Sequence, residues 1–350
     1  MTRIAQKIGR MTGRQWMDLL VQNAIYLVIL AIILTIIVLD PRFLSLRVLE
    51  NILTQSSVRL ILALGVAGII ILQGTDLSLG RMVGLAAVVS ASMLQRQDYA
   101  GRFYPNLETM PVLLPVLIAI FATVLFSAIS GWVVAQFKIH PFLATMGMMT
   151  ILYGVIQIYF DTGAGGAQPI GGHARLYTAI STGRLVEFTV GGVRVGVPYL
   201  VLIAAVLSLI IWVIWNKTVF GKNMYAVGGN PEAAKVSGVN VTGTIILVYV
   251  MAGILYGIGG YLEAARIGSA NPSTGFGYEL DAIAACVVGG ISFSGGIGKV
   301  SGAIAGVLMF TIISYGMTFV GLEQYYQYII KGVIIVAAVA LDTKKYLRRV

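Results

Sequence analysis

The chain has 350 residues, 58% hydrophobic and 11% charged, with a mean hydropathy of +0.89; a soluble domain carries about a quarter of its residues as charges, so most of this surface faces something other than water. The formal charge of +10 is read as basic residues gathered in cytoplasmic loops, not as a nucleic-acid surface. Cys286 is the single cysteine, which excludes a disulfide framework and a cysteine metal cluster.

Residues 1–21 form a basic cytoplasmic segment ahead of a first apolar run at 22–39. No small-residue cleavage site follows, so this run reads as a retained span. Nine more apolar segments follow at 53–73, 79–94, 112–136, 142–160, 197–215, 244–265, 279–293, 301–320 and 325–341. The pattern predicts a single all-α, polytopic membrane domain of about ten transmembrane helices. The third and eighth segments are short for a full crossing. With the N-terminus inside, 14 of the 24 basic residues fall on the cytoplasmic side, among them Arg81 and every lysine except Lys331. Asp40, Glu50, Asp98, Glu108, Asp161, Glu187, Glu263, Glu279 and Glu323 fall outside. Both termini are therefore expected in the cytoplasm. Two connections are long: an external one at 161–196 and a cytoplasmic one at 216–243.

A weak parallel repeat is present. Gly74, Ser78 and Gly80 of QGTDLSLG share their spacing with Gly290, Ser294 and Gly296 of GGISFSGG. Both stretches join two spans on the cytoplasmic side, and such repeats mark places where transporter helices break.

No energy-converting site is encoded. The nearest approach to a phosphate loop, Gly298-Lys299-Val300, lacks the hydroxyl residue and has Phe293 where the upstream glycine belongs. There is no nucleophile elbow, paired-carboxylate cleft or metal spacing, and His140 and His173 fall in loops on opposite sides. No cofactor or metal is expected. Arg59, Asp76, Glu263, Arg266, Asp281 and Lys331 all lie near span ends, where long side chains reach water. That disfavours a proton-coupled carrier, which needs ionisable groups at the midplane. Asp76 reads either as a gate or substrate contact or, with Ser78, as the cap of the third span; the cap is preferred. Thr54, Gln55, Ser56, Ser57, Ser127, Ser130, Thr145 and Gln157 are polar groups at spans that could line a path. Hydrogen bonding between helices is the plainer role for each.

The sharpest local signal is at 228–240. Asn230 is a good helix cap, Pro231 suits the first helical position and Glu232 suits the positive helix start. Ala233, Ala234 and Lys235 propagate a turn and Gly238 stops it. This predicts a short exposed helix with a cap at each end, fit to dock in a groove of a partner.

FGKNMYAVGGNPEAAKVSGVNV (220–241) resembles the cytoplasmic coupling segment in the permease subunits of bacterial ABC importers for monosaccharides. Residues 52–89, 140–154, 279–302 and 325–332 resemble the same family in order, and Gln-Gly-Thr-Asp-Leu-Ser at 73–78 is similar to its galactose-type subgroup. The resemblance implies an inner-membrane homodimer, a separate cytoplasmic subunit that binds ATP and Mg, and a periplasmic sugar-binding protein. It makes Gly229, Asn230, Pro231, Glu232, Ala233, Ala234, Lys235, Ser237 and Gly238 the ATPase-coupling helix. It also makes the charged residues of 175–194 contributors to docking register. The candidates for the substrate path are Gln55, Ser56, Asp76, Ser78, Ser130, Thr145 and Gln157. The rival reading is a stand-alone carrier or facilitator for a small polar solute, because sodium sites built only from carbonyls and hydroxyls need no buried acid.

Overall fold

The computed structural model describes residues 24–347 except 167, 191 and 192. The basic segment 1–21 and the terminal Arg348 and Arg349 lie outside the described residues. Thirteen α-helices are described: α1 Ala24–Leu39, α2 Leu46–Ile71, α3 Leu79–Met93, α4 Leu113–Phe137, α5 Pro141–Asp161, α6 Arg175–Thr182, α7 Tyr199–Lys217, α8 Val219–Gly229, α9 Pro231–Val236, α10 Val241–Ile267, α11 Tyr278–Val288, α12 Val300–Phe319 and α13 Gln324–Leu347. Each of the ten apolar segments carries a helix. Six of these helices, α2, α4, α5, α7, α10 and α12, are long and apolar enough to cross a membrane.

Residues 46–311 form one compact unit, and the two ends of the chain form another. In the terminal unit, Phe43 packs edge-on against Phe319 with ring centroids 5.5 Å apart. The larger unit is built on α2 and α10. Every residue of α2 from Ile61 to Ile71 is buried. α10 presents Gly253 and Gly257, four apart on one face, to α4. A Cβ on Gly257 would lie 2.7 Å from the Ile120 Cα, and one on Gly253 would lie 2.9 Å from the Val124 Cα. This close approach of backbones is the packing that small residues four apart permit in a bilayer. Thr123 of α4 seals it by donating from Oγ1 to the Gly253 carbonyl at 2.8 Å. The opposite face of α4 exposes Leu117, Phe121 and Leu125, the apolar stripe expected against lipid.

Two expectations are corrected. The chain is not wholly helical: strands β1 Arg184–Val190 and β2 Val193–Pro198 pair antiparallel within the long connection read as external. Arg-Leu-Val-Glu-Phe-Thr-Val is rich in β-branched and aromatic residues, which favour a pleated strand over a loop. The charge count also separates Arg81 from residues that it touches. Its guanidinium donates to the Pro272 carbonyl at 2.9 Å and lies over the rings of Tyr153 and Phe276. Pro272 and Phe276 belong to the segment after α10, which the same count puts outside. At 15 residues α3 is only about 22 Å long, short of the ~30 Å of a bilayer core.

Candidate functional site

The connection 216–243, read from the sequence as cytoplasmic, is mostly helix, and α8 within it was not expected. Thr218 caps α8, its Oγ1 accepting from Gly221 N at 3.2 Å. Asn230 then both ends α8 and starts α9, where its Oδ1 accepts from Ala233 N at 3.0 Å. Pro231 occupies the first turn. At the other end Gly238 N donates to Lys235 O and Val239 N to Ala234 O, both at 3.0 Å. Gly238 holds φ at 84°. That paired closure satisfies carbonyls that a six-residue helix would otherwise leave bare. Of α9 only Ala234 is buried, and Val236 is 90% exposed. The helix is fixed at both ends by its own sequence and presented outward.

The two repeat-related stretches meet beside it. Ile71, the last residue of α2, accepts from Gly296 N at 2.8 Å. Gln73 donates from Nε2 to Gly228 O at 2.8 Å and to Ser294 O at 3.1 Å. Tyr225 of α8 donates to Gly298 O at 2.9 Å. A Cβ on Gly228 would overlap the Ile71 carbonyl oxygen, so α8 and the end of α2 touch through backbone. The loops 72–78 and 289–299 therefore converge on the exit of α8.

Above this knot the chain between α2 and α3 is extended. Thr145 of α5 accepts from Leu77 N at 3.2 Å and donates to its own helix at Pro141 O, 2.9 Å away. Asp76 is fully buried, and its Oδ1 accepts from both Ser78 N at 2.8 Å and Ser78 Oγ at 2.6 Å. Ser78 stands at the cap position of α3 without a capping bond of its own; the carboxyl oxygen of Asp76 takes the donor. The phenols of Tyr249 and Tyr256 on α10 face the same carboxyl. These tyrosines lie to either side of the middle of a 27-residue helix. Asp76, Ser78 and Thr145 are thus brought together.

The other path candidates are dispersed. Ser56 and Ser57 donate to Leu53 O at 2.9 and 2.7 Å and line a cavity of about 430 Å³. Ser208 and Ser301 line the same cavity, as does Trp212. Thr54 donates within α2 to Glu50 O. Gln55 is half-buried on α2 and Gln157 half-buried on α5. Ser127 and Ser130 lie on the buried face of α4, where Ser130 donates to Phe126 O at 3.1 Å.

The segments read as external also come together. Gln95 donates to Gly171 O at 2.7 Å and accepts from Phe103 N at 2.6 Å. Arg184, one of the charged residues of 175–194, is paired with Glu50 at 2.6 Å and Glu187 at 3.7 Å; its hydrogen bond to Glu50 holds its guanidinium above the ordinary value. Arg194 lies where no side chain is described. A buried set closes this end: Arg266 holds Glu263 through two bonds of 2.6 and 2.8 Å, and Tyr278 donates to the same carboxylate. Pairing of this kind is what a buried charge requires. Among the described residues, no group of three metal-ligating side chains occurs.

Comparison with known proteins gives the following. A family model described as the permease component of the branched-chain amino acid transport system matches residues 48–339. The chain is 52% identical over 332 residues to a galactose/methyl galactoside import permease protein of Haemophilus influenzae, covering 95% of this chain and 97% of that protein. It is 50% identical over 342 residues to the protein of that name in Escherichia coli K12, covering 98% and 100%. It is 36% identical over 319 residues to a ribose import permease protein of Escherichia coli K12, covering 91% and 92%. No solved structure matches.

Proposed function

Because the chain belongs to the family described as the permease component of the branched-chain amino acid transport system, and so is a transporter subunit and not an enzyme, we propose that it carries galactose and methyl galactosides across the bacterial inner membrane. Near-full-length likeness to the galactose/methyl galactoside import permeases supports that cargo. In this reading a cytoplasmic partner binds and hydrolyses ATP and a periplasmic binding protein delivers the sugar. A second copy of the chain completes the membrane part.

The observation that carries the mechanism is α9. An exposed helix capped at both ends holds its shape when a partner pushes on it; its backbone is continuous with α8, whose end is hydrogen-bonded to the two helix breaks. ATP-driven closure of the partner displaces α9, and the displacement reaches the loops at 72–78 and 289–299. The sugar route runs by the cavity between α2, α7 and α12. There the Ser56, Ser57 and Ser208 hydroxyls, donating to their own helices, keep lone pairs for sugar hydroxyls, and the Trp212 face suits the apolar face of a hexose ring. Asp76, Ser78 and Thr145 shape the break beside α5 rather than bind the sugar tightly.

The test is reconstitution in vesicles with the ATP-binding and sugar-binding partners. Galactose uptake is expected to require ATP, and Glu232→Arg is expected to lower uptake while membrane insertion is kept. Uptake by the chain alone, without ATP or partners, would refute the reading in favour of a stand-alone carrier.

A further inference from the structure

Gln73 is one of two non-glycine residues with positive φ among those described, at 64°. An L-residue adopts that left-handed conformation at a cost, so something else holds it there. Its side-chain amide reaches Gly228 O at 2.8 Å and Ser294 O at 3.1 Å. Gly228 stands next to the end of α8, just ahead of α9. Ser294 lies in the loop between α11 and α12, and Gln73 itself lies in the loop between α2 and α3. One amide therefore joins three stretches of chain that sequence separates widely.

The chemistry of the junction is specific. Two backbone carbonyl oxygens face one point, and they repel each other unless a donor lies between them. A primary amide offers two N–H groups from a single nitrogen, which suits two acceptors. A glutamate of the same length offers only acceptors when ionised. An asparagine is one methylene shorter. Space is also matched: Gly295 packs against the Gln73 stem, and its φ of 78° fits glycine.

We propose that Gln73 is the positioning residue that ties the exit of α8, and with it α9, to both helix breaks at once, so that displacement of α9 moves the two loops together. The inference rests on the reading of α9 as the helix the ATP-binding partner pushes.

The experiment uses the importer assembled in vesicles with both partners and compares Gln73→Gly, Gln73→Glu and Glu232→Arg with the parent chain. Gln73→Gly is the decisive variant, because glycine accepts the backbone conformation freely and removes the amide together with its short stem. It is expected to keep membrane level, assembly and basal ATP hydrolysis within about twofold, the rest of the contact being backbone. Sugar moved per ATP is expected to fall about five- to tenfold, and amide exchange across 225–238 and 291–297 to quicken by a similar factor, the size of about one net hydrogen bond. Gln73→Glu is expected to change both in the same direction and further. Parental sugar per ATP and parental exchange in Gln73→Gly would overturn the proposal. Failure of that variant to assemble would overturn it too, by making Gln73 a folding residue. Glu232→Arg separates the two ideas: unchanged coupling there sinks the reading of α9 itself. Lost coupling in Glu232→Arg beside intact coupling in Gln73→Gly sinks the amide tie alone.

Discussion

Gly228→Ala isolates the backbone contact between α8 and the end of α2. A methyl group there overlaps the Ile71 carbonyl oxygen and sits 2.9 Å from Gly296 N. To reach ordinary contact the two backbones must part by about 1.5 Å. That opening breaks the Gly296 N to Ile71 O bond and the Gln73 to Gly228 O bond, both 2.8 Å long. At ~1 kcal/mol net each, the loss is ~2 kcal/mol. Alanine recovers ~0.5–1 kcal/mol over glycine within a helix. The balance of ~1–1.5 kcal/mol is close to a tenfold fall in the docked population. The matched control is next door, because a Cβ on Gly229 meets nothing within 4 Å. The assay is sugar moved per ATP hydrolysed in vesicles, measured for both alanine variants at equal membrane level. Gly228→Ala is expected to fall about tenfold, by the same energy balance, and Gly229→Ala to match the parent. Equal behaviour of the two would show that the contact does not transmit anything.

Three further outcomes follow from the geometry. Asn230→Ala removes the bond to Ala233 N and is expected to cost α9 ~1 kcal/mol, read as faster amide exchange in 231–236; unchanged exchange would remove the cap from the account. Gly257→Leu forces α10 away from Ile120 and is expected to destabilise the detergent-solubilised protein by ~1–3 kcal/mol, whereas Gly147→Leu, with open space at its Cβ, is expected to leave thermal stability near the parent's. His173 is buried against Tyr177 with rings 5.0 Å apart, and burial pulls its imidazole below its ordinary 6.5. The unfolded chain then binds a proton that the folded one refuses. Stability is complete above the unfolded value and is lost as pH falls below it, toward the folded one. Proteolysis of the 95–107 and 170–182 segments is expected to rise on acidification below that value, and His173→Phe to abolish the rise; an unchanged pH response in that variant would refute the assignment.

Much of this was legible in the sequence because it is local. Apolar runs give bilayer helices, and Asn-Pro-Glu ahead of a glycine gives α9 with both caps. The breaks at 72–78 and 289–299 were marked by matching Gly and Ser positions. What the sequence hid is non-local. The contact of Arg81 with the Pro272 carbonyl spans 191 residues, so a count of charges along the chain put the two on opposite sides. Gln73 looked like a subgroup marker because its partners, Gly228 and Ser294, are carbonyl groups that carry no side-chain signal. The β-hairpin escaped because a Gly-rich external connection reads as loop, although the alternation of Leu185, Glu187 and Thr189 with Val186 and Phe188 was there to be seen. Arg184 looked free for a partner because its own partner, Glu50, is 134 residues away.

The half-length of α3 has a last consequence, for charge selectivity. α3 starts among buried residues, Asp76, Ser78 and Leu79, and points the positive end of its peptide dipole at them. In transporters with broken helices that end is where anionic cargo is held. Here the Asp76 carboxyl oxygen, bonded to Ser78 N, already occupies the position such an anion would take. The chain has answered its own helix dipole from within, which leaves that interior end with no attraction to spare for a negative solute and suits it to an uncharged one.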